Sequence, residues 1–163
     1  MVDRAVIHGS CIAVDGLGVL LLGAPGAGKS DLVLRLLDHQ GSGISGRLRA
    51  AQLVADDQIV IERHGERLMA SAPAALFGKL EVRGLGIVEA PAVPQALLAL
   101  AVRLSDSSEI ERLPDLGISR FDILGTSVPL ILIDPEKPSA PARIRAALDH
   151  IPRDSKLIAS QPG

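Results

Sequence analysis

Residues 23–30 carry the clearest pattern for chemistry in this chain, a glycine-rich stretch that ends in lysine and serine. The stretch fits the phosphate-binding loop pattern G-x-x-x-x-G-K-[ST] at every fixed position. Glycines let the backbone curl so that successive N–H groups face phosphate oxygens. Lys29 can reach the outer phosphates, and the Ser30 hydroxyl can ligate Mg²⁺. The pattern predicts binding of a nucleoside triphosphate by Gly23, Ala24, Pro25, Gly26, Ala27, Gly28, Lys29 and Ser30.

Two carboxylate positions follow apolar runs and could serve such a loop. Residues 53–55 lead into Asp56 and Asp57, and residues 130–133 lead into Asp134. Phosphoryl transfer to a hydroxyl needs one carboxylate near the metal and another that is free to accept a proton. The doublet offers both. Since a proline follows Asp134, ending a strand and starting a turn explains that residue at least as well.

Other polar residues stand out in apolar surroundings. His8 begins an apolar stretch, where a structural histidine is commoner than a functional one. Glu81 and Arg83 have the spacing to share one face of a strand, and a carboxylate for Mg²⁺ beside a guanidinium for phosphate suits a catalytic loop. Gly84 and Gly86 predict a bend there. A charged edge strand with a bulge fits the same stretch equally well.

The elements around the loop favour its function. Residues 19–22 predict a buried strand, and residues 31–39 predict a helix that stops before Gly41. A strand over 6–14, ended by a turn at 15–18, would form a hairpin with the loop's own strand. A hairpin that leads into the loop differs from doubly wound nucleotide-binding folds, which begin with a strand-helix-strand unit.

Strands outnumber helices in the rest of the chain, which is unusual for a protein with this loop. The remaining predictions are strands at 52–55, 58–62, 67–71, 97–104 and 127–133, an interrupted stretch at 80–89, a helix at 140–151, an exposed loop at 40–51, a polar segment at 105–116 and a loosely ordered tail at 152–163.

Composition narrows the function classes. A chain of 163 residues with 47% hydrophobic content predicts one domain with a sizeable core. Aromatic content of 1% and a net charge of −2 argue against a nucleic-acid partner. Cys11 stands alone in an apolar run, so we expect a buried, inert thiol and no internal disulfide. No apolar run reaches the roughly 20 residues of a membrane helix and no leader pattern is present, so we expect a cytoplasmic protein without a membrane partner.

Together these residues resemble one family, the HPr kinase/phosphorylase, a bacterial serine kinase with a P-loop. The resemblance rests on His8-Gly9, the loop at 23–30, the stretch 53–57 and the segment 80–87, in that order along the chain. It covers residues 6 to 151 and corresponds to the catalytic domain of the longer proteins, without their separate N-terminal domain. Residues 1–151 are therefore expected to form the catalytic domain.

The resemblance implies transfer of phosphate from ATP, with Mg²⁺, to a serine of HPr, the phosphocarrier of the sugar phosphotransferase system. It implies that Lys29 holds phosphates, that Ser30, Asp56 and Glu81 serve the metal, and that Asp57 is the proton acceptor oriented by His8. Arg112 resembles an arginine that the family needs for the reverse reaction, in which phosphate attacks phosphoserine and releases pyrophosphate. Arg83, Gly84 and Gly86 belong to the family's signature segment.

The family fold is of the phosphoenolpyruvate carboxykinase-like type, an α/β fold with a mixed, largely antiparallel sheet and flanking helices, and known members form hexamers. Two departures concern this chain. Residues 134–141 contain no arginine where other members carry a basic segment, so the phosphorylase activity stays open. The interval from Lys29 to Asp57 is also longer. A small-molecule kinase and a non-catalytic ATP sensor remain alternatives.

Overall fold

The computed structural model describes residues 2–151, and the predicted tail at 152–163 lies outside the described residues. Within that range the chain forms eleven strands and two α-helices. The strands are β1 (Asp3–His8), β2 (Ser10–Val14), β3 (Leu17–Leu22), β4 (Ala51–Ala55), β5 (Gln58–His64), β6 (Arg67–Ser71), β7 (Lys79–Val82), β8 (Gly86–Glu89), β9 (Ala96–Leu104), β10 (Arg120–Ile123) and β11 (Thr126–Ile133), and the helices are α1 (Lys29–Asp38) and α2 (Ala140–His150).

Nine of these strands form one mixed sheet in which most neighbours run antiparallel. Its order is β1-β5-β6-β9-β3-β2-β4, and β11 pairs with both β9 and β10. Within the described residues only the pairs β3–β9 and β9–β11 are parallel. The prediction of a mixed, largely antiparallel sheet with flanking helices is therefore confirmed. β7 and β8 form a separate antiparallel hairpin.

The predicted hairpin into the phosphate loop is present, because β2 pairs antiparallel with β3. The single strand predicted over 6–14 is wrong, since the chain breaks at Gly9 and β1 leaves to pair with β5. Gly9 has a φ of 157°, and a Cβ there would lie 2.9 Å from the carbonyl oxygen of Leu21. The close backbone approach thus requires glycine at the break.

Alternation along the central strands builds two cores on opposite faces of the sheet. Ile12 and Val14 pack in the core beneath α1, α2 and the β7–β8 hairpin. Cys11 and Ala13 pack in a second core, on the face that the curled sheet covers with its own strands. Both faces are buried, which explains why β2 and β3 appear in the sequence as continuous apolar runs. A fully buried side chain such as Leu20 stabilises the fold by about 1.5–3 kcal/mol.

Both helices match their predicted positions. α1 buries Leu32, Val33 and Leu36 against the sheet, and it begins at Lys29, directly at the end of the phosphate loop. α2 begins after Ser139 with a proline in its first turn, where a missing N–H costs no hydrogen bond. The chain therefore runs directly from the carboxyl end of β3 through the loop into the start of α1.

One loop prediction needs correction. The segment at 40–51 is not wholly exposed, because Arg49 is 2% exposed and donates hydrogen bonds to Asp15 and Asp149. The interrupted stretch predicted at 80–89 is present as the hairpin β7–β8 with its turn at 83–85, and the alternative of a bulged edge strand is wrong. The structure also adds β10, a short strand in a region where none was predicted.

Candidate active site

Four separate segments meet at one open cleft of about 480 Å³. They are the β1–β2 junction, the phosphate loop with the start of α1, the turn between β4 and β5, and the end of β7. The lining residues are His8, Ser10, Pro25, Gly26, Gly28, Lys29, Ser30, Asp31, Leu34, Asp56, Asp57, Glu81, Val82 and Arg83.

The phosphate loop connects the end of β3 to α1 through two glycines in the left-handed region. Gly26 has a φ of 81° and Gly28, which precedes the first residue of α1, has a φ of 103°. An L side chain at either position would strain the backbone. The curled loop leads directly into the helix N-terminus, where unpaired N–H groups and the helix dipole favour an anion.

Lys29 lies folded against this loop. Its Nζ donates hydrogen bonds to the carbonyl oxygens of Gly23, at 2.6 Å, and Ala24, at 2.9 Å. The residue is 7% exposed. Burial lowers the pKa of Lys29, and the nearby negative charges of Asp56 and Asp57 oppose that shift. The ammonium group thus belongs to the cleft lining and is held by two carbonyl oxygens of the loop.

Asp56 is buried and held at both carboxylate oxygens. Its Oδ1 accepts hydrogen bonds from the hydroxyls of Ser10, at 2.8 Å, and Ser30, at 2.9 Å. Its Oδ2 accepts from the backbone N–H of Glu81 at 3.3 Å. The carboxylate at the end of β4 is therefore tied to β2, α1 and β7 at once.

Asp57 differs sharply from its neighbour because it faces the open cleft. Its side chain is 66% exposed, and its Oδ1 lies 3.3 Å from Nδ1 of His8. Its φ of 71° is unusual for a residue other than glycine. The carbonyl of Asp57 also accepts a hydrogen bond of 3.1 Å from the N–H of Gly9. The carboxylate of Asp56 is thus enclosed, while that of Asp57 is accessible to a molecule that enters the cleft.

The β7–β8 hairpin contributes two further charged groups. Glu81 and Arg83 both line the cleft, as their spacing on one face predicts. Leu80, on the opposite face of β7, is 1% exposed and anchors the hairpin in the core. Gly84 and Gly86 lie in and just after the turn, outside the lining residues, and both have positive φ values that make the predicted bend.

The residues present fit a magnesium ion that is bound together with phosphates. Ser30, Asp56 and Glu81 offer hard oxygen ligands in one cleft, and Mg²⁺ uses one or two carboxylates with substrate phosphates and water. Among residues 2–151 there is no cluster of three or more His, Cys, Asp or Glu that could hold a metal by itself.

The structure separates the sequence predictions into two groups. It brings His8, Lys29, Ser30, Asp56, Asp57, Glu81 and Arg83 to one cleft, together with Pro25, Gly26 and Gly28 of the loop. It does not bring Arg112 there, because that residue lies exposed in the irregular segment before β10. Asp134 is also elsewhere, and its carboxylate accepts hydrogen bonds from Ser107 and from the N–H of Glu136. The interpretation of Asp134 as a residue that ends a strand and starts a turn is therefore supported.

Ser10, like Asp31 of α1, is a polar residue of the cleft that sequence reasoning missed. It is 1% exposed and begins a strand whose residues are all buried. The available signal was a hydroxyl at the start of an apolar run, two positions after His8. Buried hydroxyls require a hydrogen-bond partner, and a carboxylate from a neighbouring strand provides one here.

The fold and the cleft define a mixed α/β domain with a cleft lined in part by the glycine-rich loop at 23–30. The family described as HPr Serine kinase C-terminal domain matches residues 1–144. The chain therefore belongs to the HPr serine kinase C-terminal domain family.

Curated relatives agree with this assignment. An HPr kinase/phosphorylase from Prosthecochloris aestuarii is 36% identical over 135 residues, which cover 76% of this chain and 36% of that protein. One from Chlorobium phaeobacteroides is 35% identical over 145 residues, covering 80% of this chain and 40% of the relative. The chain thus spans well under half the length of these relatives.

A solved structure agrees over nearly the whole chain. The structure of the Hpr(Ser) kinase/phosphatase from Coxiella burnetii superposes with a TM-score of 0.73 at 25% sequence identity, covering 96% of this chain and 99% of that one. In addition, no helix within residues 2–151 is long and apolar enough to span a membrane.

Proposed function

We propose that this protein is an ATP-dependent serine kinase that phosphorylates HPr, with residues 1–151 as its catalytic domain. The observation that carries the proposal is one cleft in which Lys29 and Ser30 of the phosphate loop face the accessible Asp57–His8 pair. Family membership supports the choice of substrate. The hairpin entry into the loop and the mixed sheet support a P-loop kinase fold of the phosphoenolpyruvate carboxykinase-like type.

The phosphates of ATP are the ligand that the loop is built to take. Backbone N–H groups of the loop would bind them, apart from Pro25, which has no N–H, and Ala27, whose N–H donates to the carbonyl of Ala24. Lys29 would exchange its carbonyl partners for phosphate oxygens. Mg²⁺, when bound, neutralises charge on the transferring phosphoryl group. Ser30, Asp56 and Glu81 are the residues that would hold it. Since the buried Asp56 is already fixed by three hydrogen bonds, the metal side of the cleft needs little rearrangement.

We assign to Asp57 the role of accepting the proton of the substrate serine. It is exposed to the cleft, whereas Asp56 is enclosed, so of these two carboxylates Asp57 is the one that a protein substrate can reach with its hydroxyl. As the serine oxygen bonds to phosphorus and the bond to ADP breaks, the hydroxyl proton passes to the Asp57 carboxylate. His8, at 3.3 Å, fixes the orientation of that carboxylate.

The reverse reaction uses the same groups in the opposite order. A phosphate oxygen attacks the phosphorus of phosphoserine, pyrophosphate forms, and the serine oxygen leaves with a proton from Asp57. A role for Arg112 in this direction is supported only by the family resemblance, because that residue is not among those that line the cleft. Residues 134–141 lack arginine, so we expect this activity to be weaker than the kinase activity. We also predict that the protein forms a homo-oligomer, up to a hexamer. A cytoplasmic location is a further prediction.

The decisive experiment incubates the purified chain with labelled ATP, Mg²⁺ and HPr, and then locates the phosphate by mass spectrometry. Asp57→Asn should keep ATP binding, as measured by calorimetry, and reduce transfer about 10²–10⁴-fold. Asp122→Asn, at an exposed aspartate of β10, is the matched control and should match the unmodified protein. Adding inorganic phosphate afterwards tests the reverse direction by pyrophosphate release.

Each alternative predicts a different result in the same assay. Label on a small hydroxyl compound, with none on HPr, would establish a metabolite kinase. ATP binding without any transfer would establish a sensor. Normal transfer by Asp57→Asn would remove this residue from the mechanism.

A further inference from the structure

We propose that Ser10 is a positioning residue that holds Asp56 in the orientation required for metal binding. The inference deepens the proposed function and rests on it in one respect, that the cleft binds ATP with Mg²⁺. The observation that carries it is the buried hydrogen bond of 2.8 Å from Ser10 Oγ to Asp56 Oδ1.

The bond belongs to a brace formed by residues 8–10 on the aspartate doublet. His8 contacts the Asp57 carboxylate at 3.3 Å, and the N–H of Gly9 donates to the Asp57 carbonyl at 3.1 Å. Ser10, next along the chain, donates to Asp56. Each residue of the brace thus contacts a different part of the doublet, and only the Ser10 contact reaches the enclosed carboxylate.

The geometry explains what the Ser10 hydroxyl adds. Ser10 and Ser30 donate to the same oxygen, Oδ1, while the N–H of Glu81 donates to Oδ2. Ser30 also has to direct an oxygen lone pair at the metal. Without Ser10, the Ser30 hydroxyl would be the one side-chain donor that the structure shows on Asp56. The carboxylate could then rotate, because Ser30 alone would hold its Oδ1. The second donor keeps Asp56 fixed when Ser30 binds the metal.

Burial increases the effect of losing the hydrogen bond between Ser10 and Asp56. Ser10 and Asp56 are 1% and 6% exposed, so water has little access to replace a lost donor. Hydrogen bonds to a charged group in such surroundings are stronger than exposed ones. Partners that orient a metal ligand typically change metal affinity or activity by about 10–100-fold when they are removed.

The test is magnesium-linked ATP binding, measured by calorimetry on the full chain with and without Mg²⁺. In Ser10→Ala the affinity for ATP without Mg²⁺ should stay within about twofold, and the gain in affinity that Mg²⁺ provides should fall about tenfold. Ser10→Thr, which keeps a hydroxyl, should recover most of that gain. Ser45→Ala, at an exposed loop serine, is the control and should bind like the unmodified chain.

A double-mutant cycle keeps the inference testable if Ser10→Ala also lowers stability. If Ser10 acts through Asp56, then adding Ser10→Ala to Asp56→Asn should cause no further loss of the magnesium-linked gain. Additive losses, or a Ser10→Ala protein with the full gain from Mg²⁺, would overturn the inference. The readout needs no HPr, so absence of HPr labelling would count against the proposed function and leave this result standing.

Discussion

His8 Nδ1 lies 3.3 Å from Asp57 Oδ1, and both side chains open onto the cleft, with 49% and 66% of their surface exposed. The contact joins the end of β1 to the turn after β4. β1 pairs with β5, the strand that follows Asp57, and this pairing brings the two residues together. A neutral histidine protonated at Nδ1 can donate to the carboxylate and so fix its direction.

The first prediction concerns this donor. His8→Ala should lower kcat for HPr phosphorylation about tenfold, a loss of about 1.4 kcal/mol, with little change in the KM for ATP. His8→Asn should retain more activity, because the asparagine amide can donate from nearly the position of Nδ1. Steady-state kinetics checks both. His150→Ala, at the exposed end of α2, is the control, and equal loss in the Ala and Asn variants would contradict the role.

Lys29 supports a second prediction. Its Nζ is buried against the carbonyls of Gly23 and Ala24, at the place where the phosphates enter. Replacement by methionine keeps the stem and removes a charge-assisted hydrogen bond, worth about 1.5–3 kcal/mol. ATP affinity should fall about 10–150-fold in titration calorimetry, with Lys137→Met, at an exposed position before α2, as the control. Unchanged affinity would mean that Lys29 does not contact the phosphates.

Much of the fold could be predicted from local patterns. The apolar runs of β3 and β9, the period of α1 and the hairpin β5–β6 all lie where the sequence indicates. The break at Gly9 could not be predicted, because it depends on the carbonyl of Leu21 in the adjacent strand. β10 was missed because its four residues gain their stability by pairing with β11 rather than from a pattern of their own.

The site could be predicted where residue type and spacing carry the chemistry. The loop at 23–30 and the Asp56–Asp57 doublet are such cases. The preference for Asp56 over Asp134 rests in the sequence on the doublet and on the proline after Asp134. The structure agrees with it, because Asp56 lines the cleft and accepts from Ser30, whereas Asp134 accepts from Ser107 elsewhere. Ser10 could not be assigned because a hydroxyl at the start of an apolar run shows that a partner is needed but does not say which residue provides it.

Glu81 supports a third prediction, about the metal. Its side chain lines the cleft while its N–H holds Asp56, so a substitution of the side chain leaves the backbone contact in place. Glu81→Gln should raise the Mg²⁺ concentration needed for half-maximal activity about tenfold, because a neutral amide is a weaker ligand than a carboxylate. Glu89→Gln, on the same hairpin, is the control. An identical Mg²⁺ dependence would remove Glu81 from the metal site.

Cys11 supports a fourth prediction. The residue is fully buried, and burial raises the pKa of its thiol from 9.0 to about 12. Iodoacetamide at pH 8 should therefore leave the native protein unmodified and alkylate it in denaturant, as followed by mass spectrometry. The neutral thiol favours folding below pH 9, so this contribution to stability should decline as pH rises from 9 towards 12. Rapid alkylation of the native protein would contradict the buried position.

The last prediction concerns Arg145, which connects α2 to the end of α1 far from the chemistry. Its side chain is 1% exposed, and its Nε and Nη2 donate to the carbonyl oxygens of Arg49 and Leu36, each at 3.0 Å. Burial lowers the pKa of its guanidinium. Arg145→Met would leave both carbonyls without their donor and should cost about 2 kcal/mol.

In a domain of this size, a loss of about 2 kcal/mol lowers Tm by about 4–8 °C, which differential scanning calorimetry can measure. Arg143→Met is the matched control, because Arg143 is on the same helix but exposed, and its Nε donates only to Ser139. Its Tm should change by no more than about 1 °C, as for an ordinary surface substitution. Equal Tm values for the two variants would show that the buried guanidinium does not stabilise the end of α1. A lower Tm for Arg145→Met with unchanged affinity for ATP at 10 °C would show that Arg145 supports the fold and not the cleft.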